Sequence, residues 1–203
     1  MTIIQTNKPL KKRSAYDFYP TPRPFCDEAL ELIHFQTWNV FKDGYVPELH
    51  ILDPGCGTGV WGQAALDRWP HAVVDGVEIR DVDTPAGYRY LYRGDFRLQD
   101  TGMDYDLIIG NPPFVYAESF VRVGLDNLKA DGLMLYLLPL SFLASKGRAR
   151  GLFRHHPPME VHVAHRVSFT GNGKSDNTEY AVYIWKQGWK GTPSLKWMLR
   201  SKS

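Results

Sequence analysis

The chain's 203 residues, 43% of them hydrophobic, are enough to bury one α/β core and leave little for a second domain. The formal charge of +2 hides an asymmetry: residues 1–24 hold five Lys/Arg against one Asp and residues 186–203 five against none, which leaves 14 basic against 21 acidic residues between them. Two cysteines without ligand or pairing spacing exclude a disulfide scaffold, the apolar run 133–143 is too short and too interrupted by Pro139 and Ser141 to span a membrane, and the opening residues lack the pattern of a secretory signal, so a reducing, cytoplasmic setting is expected.

Residues 1–15, with Lys8, Lys11, Lys12 and Arg13 around a proline, read as a flexible basic arm that serves either phosphate contact or plain solubility. Tyr19-Pro20-Thr21-Pro22 then leads into a helical pattern from Phe25 to Ile33. A strand from Leu49 to Leu52 runs into Asp53-Pro54-Gly55-Cys56-Gly57-Thr58-Gly59, and a helical pattern follows through Ala64, Ala65, Leu66 and Trp69. Glycines between a strand and a helix let the backbone bend tightly and approach a ligand closely. Gly57, Gly59 and Gly62 also satisfy G-x-G-x-x-G, but that pattern alone is weak. A carboxylate at 53 would repel a pyrophosphate, whereas it suits the cationic end of a ligand.

The next strand, Val73 to Ile79, carries Glu78, 25 positions past Asp53, where an acid can accept hydrogen bonds from ribose hydroxyls. Tyr92-Arg93-Gly94-Asp95-Phe96 offers a further carboxylate and a ring, suited to an adenine amino group and its face; Asp95 as a helix cap is the ordinary alternative. Leu107-Ile108-Ile109-Gly110 delivers Asn111-Pro112-Pro113-Phe114 to its carboxyl end. A side-chain amide, two rigid prolines and an aromatic ring make a polar clamp beside a stacking surface, although Asn-Pro-Pro by itself also makes a simple turn.

Beyond the strand Leu133 to Leu138 and the segment Pro139-Leu140-Ser141-Phe142 comes a basic cluster, Lys146, Arg148, Arg150, Arg154, His155 and His156, on the side where parallel sheets bind ligands. Val161 to Phe169 and Tyr180 to Trp185 read as two alternating strands joined by the polar, Gly-rich loop 170–178. Phe169 and Lys174 either reach a substrate or serve as core packing and solvated loop. His155, His156, His162 and His165 lack Cys or paired carboxylates at ligand spacing, so no metal is expected. Residues 187–203 read as a basic tail.

The glycine loop and the Asn-Pro-Pro-Phe motif together resemble the S-adenosylmethionine-dependent amino-methyltransferases, most closely the DNA N6-adenine methyltransferases of small phage type, over nearly all of a single domain spanning 16–186. The order of segments is that family's gamma-type arrangement. The resemblance implies an α/β, Rossmann-like sheet of seven strands, mostly parallel with an antiparallel C-terminal hairpin, in the order 3-2-1-4-5-7-6. It implies S-adenosyl-L-methionine as cofactor, held by Tyr19, Thr21, Asp53, Pro54, Gly55, Gly57, Thr58, Gly59, Glu78, Ile79, Asp95, Phe96 and Asn111. Asn111, Pro112, Pro113 and Phe114 become the catalytic motif, acting by in-line transfer to the N6 amine of a flipped adenine in DNA, in a bacterial or phage-infected cell. Phe114, Lys146, Arg148, Arg150, Phe169 and Lys174 become candidate substrate contacts. The length leaves no room for a separate target-recognition domain, so site preference is expected to be loose. An RNA N6-adenine methyltransferase, a protein-glutamine N5-methyltransferase and a non-catalytic cofactor-binding subunit are the alternatives.

Overall fold

The computed structural model describes residues 20–33, 48–165 and 178–198. In chain order the elements are α1 (Arg23–Leu30), β1 (His50–Pro54), α2 (Val60–Arg68), β2 (Val73–Glu78), β3 (Tyr88–Arg93), β4 (Tyr105–Gly110), α3 (Ala117–Asp126), β5 (Leu128–Pro139), α4 (Lys146–Arg150), α5 (Leu152–His155), β6 (Glu160–Val163), β7 (Tyr180–Lys186) and β8 (Ser194–Trp197). The strands form one sheet in the order β3-β2-β1-β4-β5-β7-β6-β8. Pairing is parallel from β3 to β5, antiparallel where β7 joins β5 and β6, and parallel again between β6 and β8.

Seven of these strands stand in the expected order, and the count is corrected to eight. The extra strand, Ser-Leu-Lys-Trp, lies inside the segment read as a basic tail. It is held by its backbone rather than by burial: Ser194 N–H donates to Met159 O at 3.1 Å and Met198 N–H to Val163 O at 2.9 Å, while all four side chains are exposed. A four-residue strand with no buried face has no periodicity to betray it.

The central strands are apolar nearly throughout because both faces are covered. Ile51, Leu107, Ile109, Leu135 and Leu137 pack on the side of α1 and α2, and Leu52, Ile108, Met134, Tyr136 and Leu138 on the side of α3. Helix α1 begins where the sequence supplies prolines at its first positions and buries Phe25, Cys26, Ala29 and Leu30. Arg23 bridges it to Asp67 of α2 at 2.6 Å. Three of the histidines face carboxylates, His50 with Glu48 at 3.2 Å, His162 with Glu160 at 2.6 Å and His165 with Glu28 at 3.7 Å.

Candidate active site

Strands β1 and β4 are parallel neighbours, with Ile51 opposite Leu107 and Leu52 opposite Ile108, so both deliver their carboxyl ends to one edge. At that edge the two sequence motifs meet. Gly110 has φ +154°, and a Cβ there would stand 3.3 Å from Asp53 Oδ1 and 3.6 Å from Pro54 O. The chain can therefore pass from β4 into Asn111 only with a residue that has no side chain.

The loop after β1 turns through three glycines of positive φ, Gly55, Gly57 and Gly59, and the last of them starts α2 in the left-handed conformation. Its amides are tied to the end of β2: Gly55 N–H and Cys56 N–H donate to Val77 O at 2.7 and 3.2 Å, and Gly57 N–H donates to Glu78 Oε2 at 2.8 Å. Pro113 and Phe120 border the same loop, 3.9 and 3.7 Å from where a Cβ of Gly55 would sit. Gly62, the third glycine of G-x-G-x-x-G, has a different use: a Cβ there would overlap the Tyr88 hydroxyl. That hydroxyl accepts from Gly62 N–H at 3.1 Å and donates to Asp53 Oδ2 at 2.6 Å, and Gly62 N–H also reaches Asp53 Oδ2 at 3.3 Å.

The acids at this edge differ in how they are neutralised. Asp53 is 1% exposed and, among the described residues, forms no salt bridge. Burial pushes its carboxyl up to about 7, against the pull of the Tyr88 and Gly62 hydrogen bonds. Glu78 is also buried, but the Arg80 guanidinium and amide and the Gly57 amide outweigh desolvation and hold its carboxyl below the usual range. Arg80 Nε and Nη2 each stand 3.0 Å from it. Beside it Ile79 is 48% exposed and offers an apolar face.

Asp95 follows Gly94, whose N–H donates to Glu78 O at 2.9 Å, so the second and third acids lie at one corner. It does cap a short 3₁₀ turn at Phe96–Leu98, accepting from Arg97 N–H at 3.0 Å, and the Arg97 guanidinium pairs with it and lowers its carboxyl. Arg97 in turn lies 3.7 Å over the Tyr116 ring. The Phe96 ring, read as a cover for adenine, is buried with its centroid 5.1 Å from that of Phe120, so its faces belong to the core.

Asn111-Pro112-Pro113 leads into a 3₁₀ turn at Phe114–Tyr116, closed by Tyr116 N–H on Pro113 O at 2.9 Å, and then into α3. Phe114 is half-buried, 5.7 Å from the Tyr180 ring, and packs on both core clusters at the sheet's edge. Thr21 is buried against α2, where its hydroxyl accepts from Trp61 Nε1 at 3.2 Å. Of the cluster after β5, Lys146 and Arg150 are exposed, whereas Arg148 is committed to Phe142, donating to its carbonyl at 2.8 Å and lying 4.5 Å over its ring. Tyr19, Phe169 and Lys174 lie outside the described residues. The contacts that Tyr88, Arg80 and Arg97 make with these acids are not legible in the sequence because none of the three belongs to a motif; Gly62, the last glycine of the weak G-x-G-x-x-G pattern, is the one available signal.

No family model matches the sequence. Modification methylase CviBIII of Paramecium bursaria Chlorella virus NC1A is 27% identical over 155 residues, 64% of this chain and 39% of that protein. Ribosomal RNA small subunit methyltransferase C of Pseudomonas syringae pv. syringae is 30% identical over 145 residues, 63% of this chain and 40% of that one. The chain thus spans about two fifths of the length of these curated relatives. Among solved structures, a Listeria monocytogenes protein described as a class I S-adenosylmethionine-dependent methyltransferase matches with a TM-score of 0.66 at 13% identity, covering 92% of this chain and 66% of that one. The fold is the Rossmann-like methyltransferase fold.

Proposed function

We propose that the chain is the catalytic core of an S-adenosylmethionine-dependent methyltransferase that modifies the N6 amine of adenine in DNA. The observation that carries this reading is the abutment of Gly110, immediately before Asn111, on the Asp53 carboxylate, because it joins a cofactor-type glycine loop to an amide clamp. The donor set fits the cofactor. Glu78 suits ribose hydroxyls, Ile79 an adenine face, Asp95 its amino group, Thr21 a carboxylate, and Asp53, which pairs with no cation among the described residues, a cationic amino-acid end, whose charge a buried carboxylate favours even without direct contact.

S-adenosylmethionine, when bound, supplies a methyl group made electrophilic by its sulfonium. The protein's share is to ready the amine. An exocyclic adenine amine is a poor nucleophile because its lone pair is delocalised into the ring; the Asn111 side-chain oxygen and the Pro112 carbonyl would accept hydrogen bonds from its two N–H groups and localise that pair. The two prolines fix the backbone that carries these acceptors. Phe114 supplies a ring for stacking. Acceleration rests on positioning and electrostatics, and no side chain needs to act as a base beforehand. A base inside a duplex must be flipped out to reach the clamp, which costs a few kcal/mol.

DNA is supported by likeness to the viral modification methylase and by the exposed cations Lys146 and Arg150 past the carboxyl end of β5. The ribosomal RNA methyltransferase likeness favours RNA as a second reading. Transfer of tritiated methyl to duplex DNA, single-stranded DNA, RNA and a protein extract, followed by hydrolysis and product identification, decides between them. The expected product is N6-methyladenine from DNA; label confined to RNA or to glutamine overturns the substrate. Asn111→Ala should keep cofactor affinity within a few fold and lose most transfer, and full activity in that variant defeats the clamp.

A further inference from the structure

We propose that Tyr88 is a positioning residue of the cofactor site, whose hydroxyl holds one oxygen of Asp53 so that the ionised carboxylate is favoured and its other oxygen is kept toward the Asn111 edge. This rests on the methyltransferase reading and adds to it a residue of β3 that belongs to no motif.

The geometry is closed around one carboxylate. Oδ2 takes the Tyr88 hydroxyl at 2.6 Å and the Gly62 amide at 3.3 Å, and the same amide donates to the Tyr88 oxygen at 3.1 Å. The arrangement requires the missing side chain at Gly62. Oδ1 faces the place where Gly110 lacks a Cβ. Among the described residues, the other titratable groups whose charge reaches this carboxylate are Glu78 on β2, Cys56 in the glycine loop, Cys26 on α1 and Tyr136 on β5. Glu78 is already paired with Arg80, and burial raises both thiols and the Tyr136 phenol, which keeps them neutral. The proton that can leave near neutral pH is therefore that of Asp53.

A cation bound beside this group is favoured when the group is ionised, so cofactor binding expels the Asp53 proton to solvent, and affinity rises with pH until the carboxyl is ionised in the free protein. Donation from Tyr88 stabilises the ionised form and sets where that rise ends. A residue that served packing alone would lower affinity by the same factor at every pH.

The test compares the wild type with Tyr88→Phe. The Asp53 carboxyl is titrated by its 13C shift in the cofactor-free proteins, and S-adenosylmethionine binding is measured by calorimetry from pH 6 to 9. In the variant the midpoint should move up by about one unit, affinity at pH 7 should fall about fivefold, and the deficit should nearly vanish by pH 9. An unmoved midpoint, a deficit independent of pH, or a wild-type affinity flat from pH 6 to 8 overturns the proposal. If Tyr88→Phe does not fold, Gly62→Ala, whose Cβ displaces the hydroxyl from the side of α2, makes the same comparison. Absence of cofactor binding by the wild type at any pH sinks the methyltransferase reading instead, and the 13C titration still judges the Tyr88 contact.

Discussion

At Asp53 the demands of folding and of ligand binding oppose each other. Its carboxyl is buried without a cation among the described residues and sits at about 7, above the ordinary 3.8. Between those two values the folded chain binds a proton that the unfolded chain has released, so stability falls as pH rises from about 4 to 7, by on the order of 4 kcal/mol for this group alone. Glu78 runs the other way. Its lowered carboxyl adds stability above its ordinary range, and that contribution is lost on acidification. Asp53→Asn removes the first effect while its amide oxygen keeps the Tyr88 and Gly62 bonds. Urea unfolding should find the variant more stable than wild type at pH 8 and no more stable near pH 4. Equal stabilities at both pH values would show that burial of this carboxylate is not strained. A cationic ligand end relieves the same strain, which ties the cofactor's charge to the fold.

The two strand-to-loop junctions were legible in the sequence because backbone constraints write themselves into residue types: positive φ demands glycine at 55, 57 and 59, and the exit of β4 demands it at 110. What depends on a third element's register was not legible. Tyr88 on β3 reaches Asp53 on β1 across β2, and Arg80 and Arg97 fold back on acids two residues away. Asp95 turned out to be a cap as well as a candidate contact, since a carboxylate can satisfy a local amide without losing its place at the edge. The basic run after β5 was legible as a charge but not as a set of roles. Helix α4 is capped by Ser145, which accepts from Arg148 N–H at 3.3 Å, and it turns Arg148 back onto Phe142 while Arg150 stays exposed. Arg150→Ala should therefore flatten the salt dependence of oligonucleotide binding by about one unit with little effect on stability. Arg148→Ala should destabilise the fold by about 1 kcal/mol, from the lost carbonyl bond and ring contact, and leave the slope nearly unchanged. Fluorescence anisotropy across a salt series and thermal melts separate the two, and identical behaviour of the variants contradicts the division.

Over the whole molecule, charge and topology are arranged at different places. The sheet order β3-β2-β1-β4-β5-β7-β6-β8 puts the first strand in the middle, and β4, entered after the crossover from β3, lies directly beside it. Ligands of open α/β sheets bind at such a reversal of strand order, which is where Asp53 and Asn111 stand. Of the acids gathered there, Glu78 and Asp95 are paired with Arg80 and Arg97, which leaves Asp53 to suit a cationic cofactor and leaves this corner no surplus positive charge for a phosphate backbone. A polyanionic substrate must then be held from outside the cleft. The cations proposed for that purpose are on α4 and in the sequence of the chain's ends, where residues 1–15 alone hold Lys8, Lys11, Lys12 and Arg13. Each phosphate contact releases about 0.9 counterions from duplex DNA, so deleting residues 1–15 should lower the slope of log affinity against log salt by up to about 3.6. Affinity for DNA should fall most at low salt, whereas calorimetry should find S-adenosylmethionine binding unchanged, because the residues proposed to hold the cofactor begin beyond the deletion. A slope that survives the deletion intact would assign the arm to solubility and leave the grip on DNA to Lys146 and Arg150.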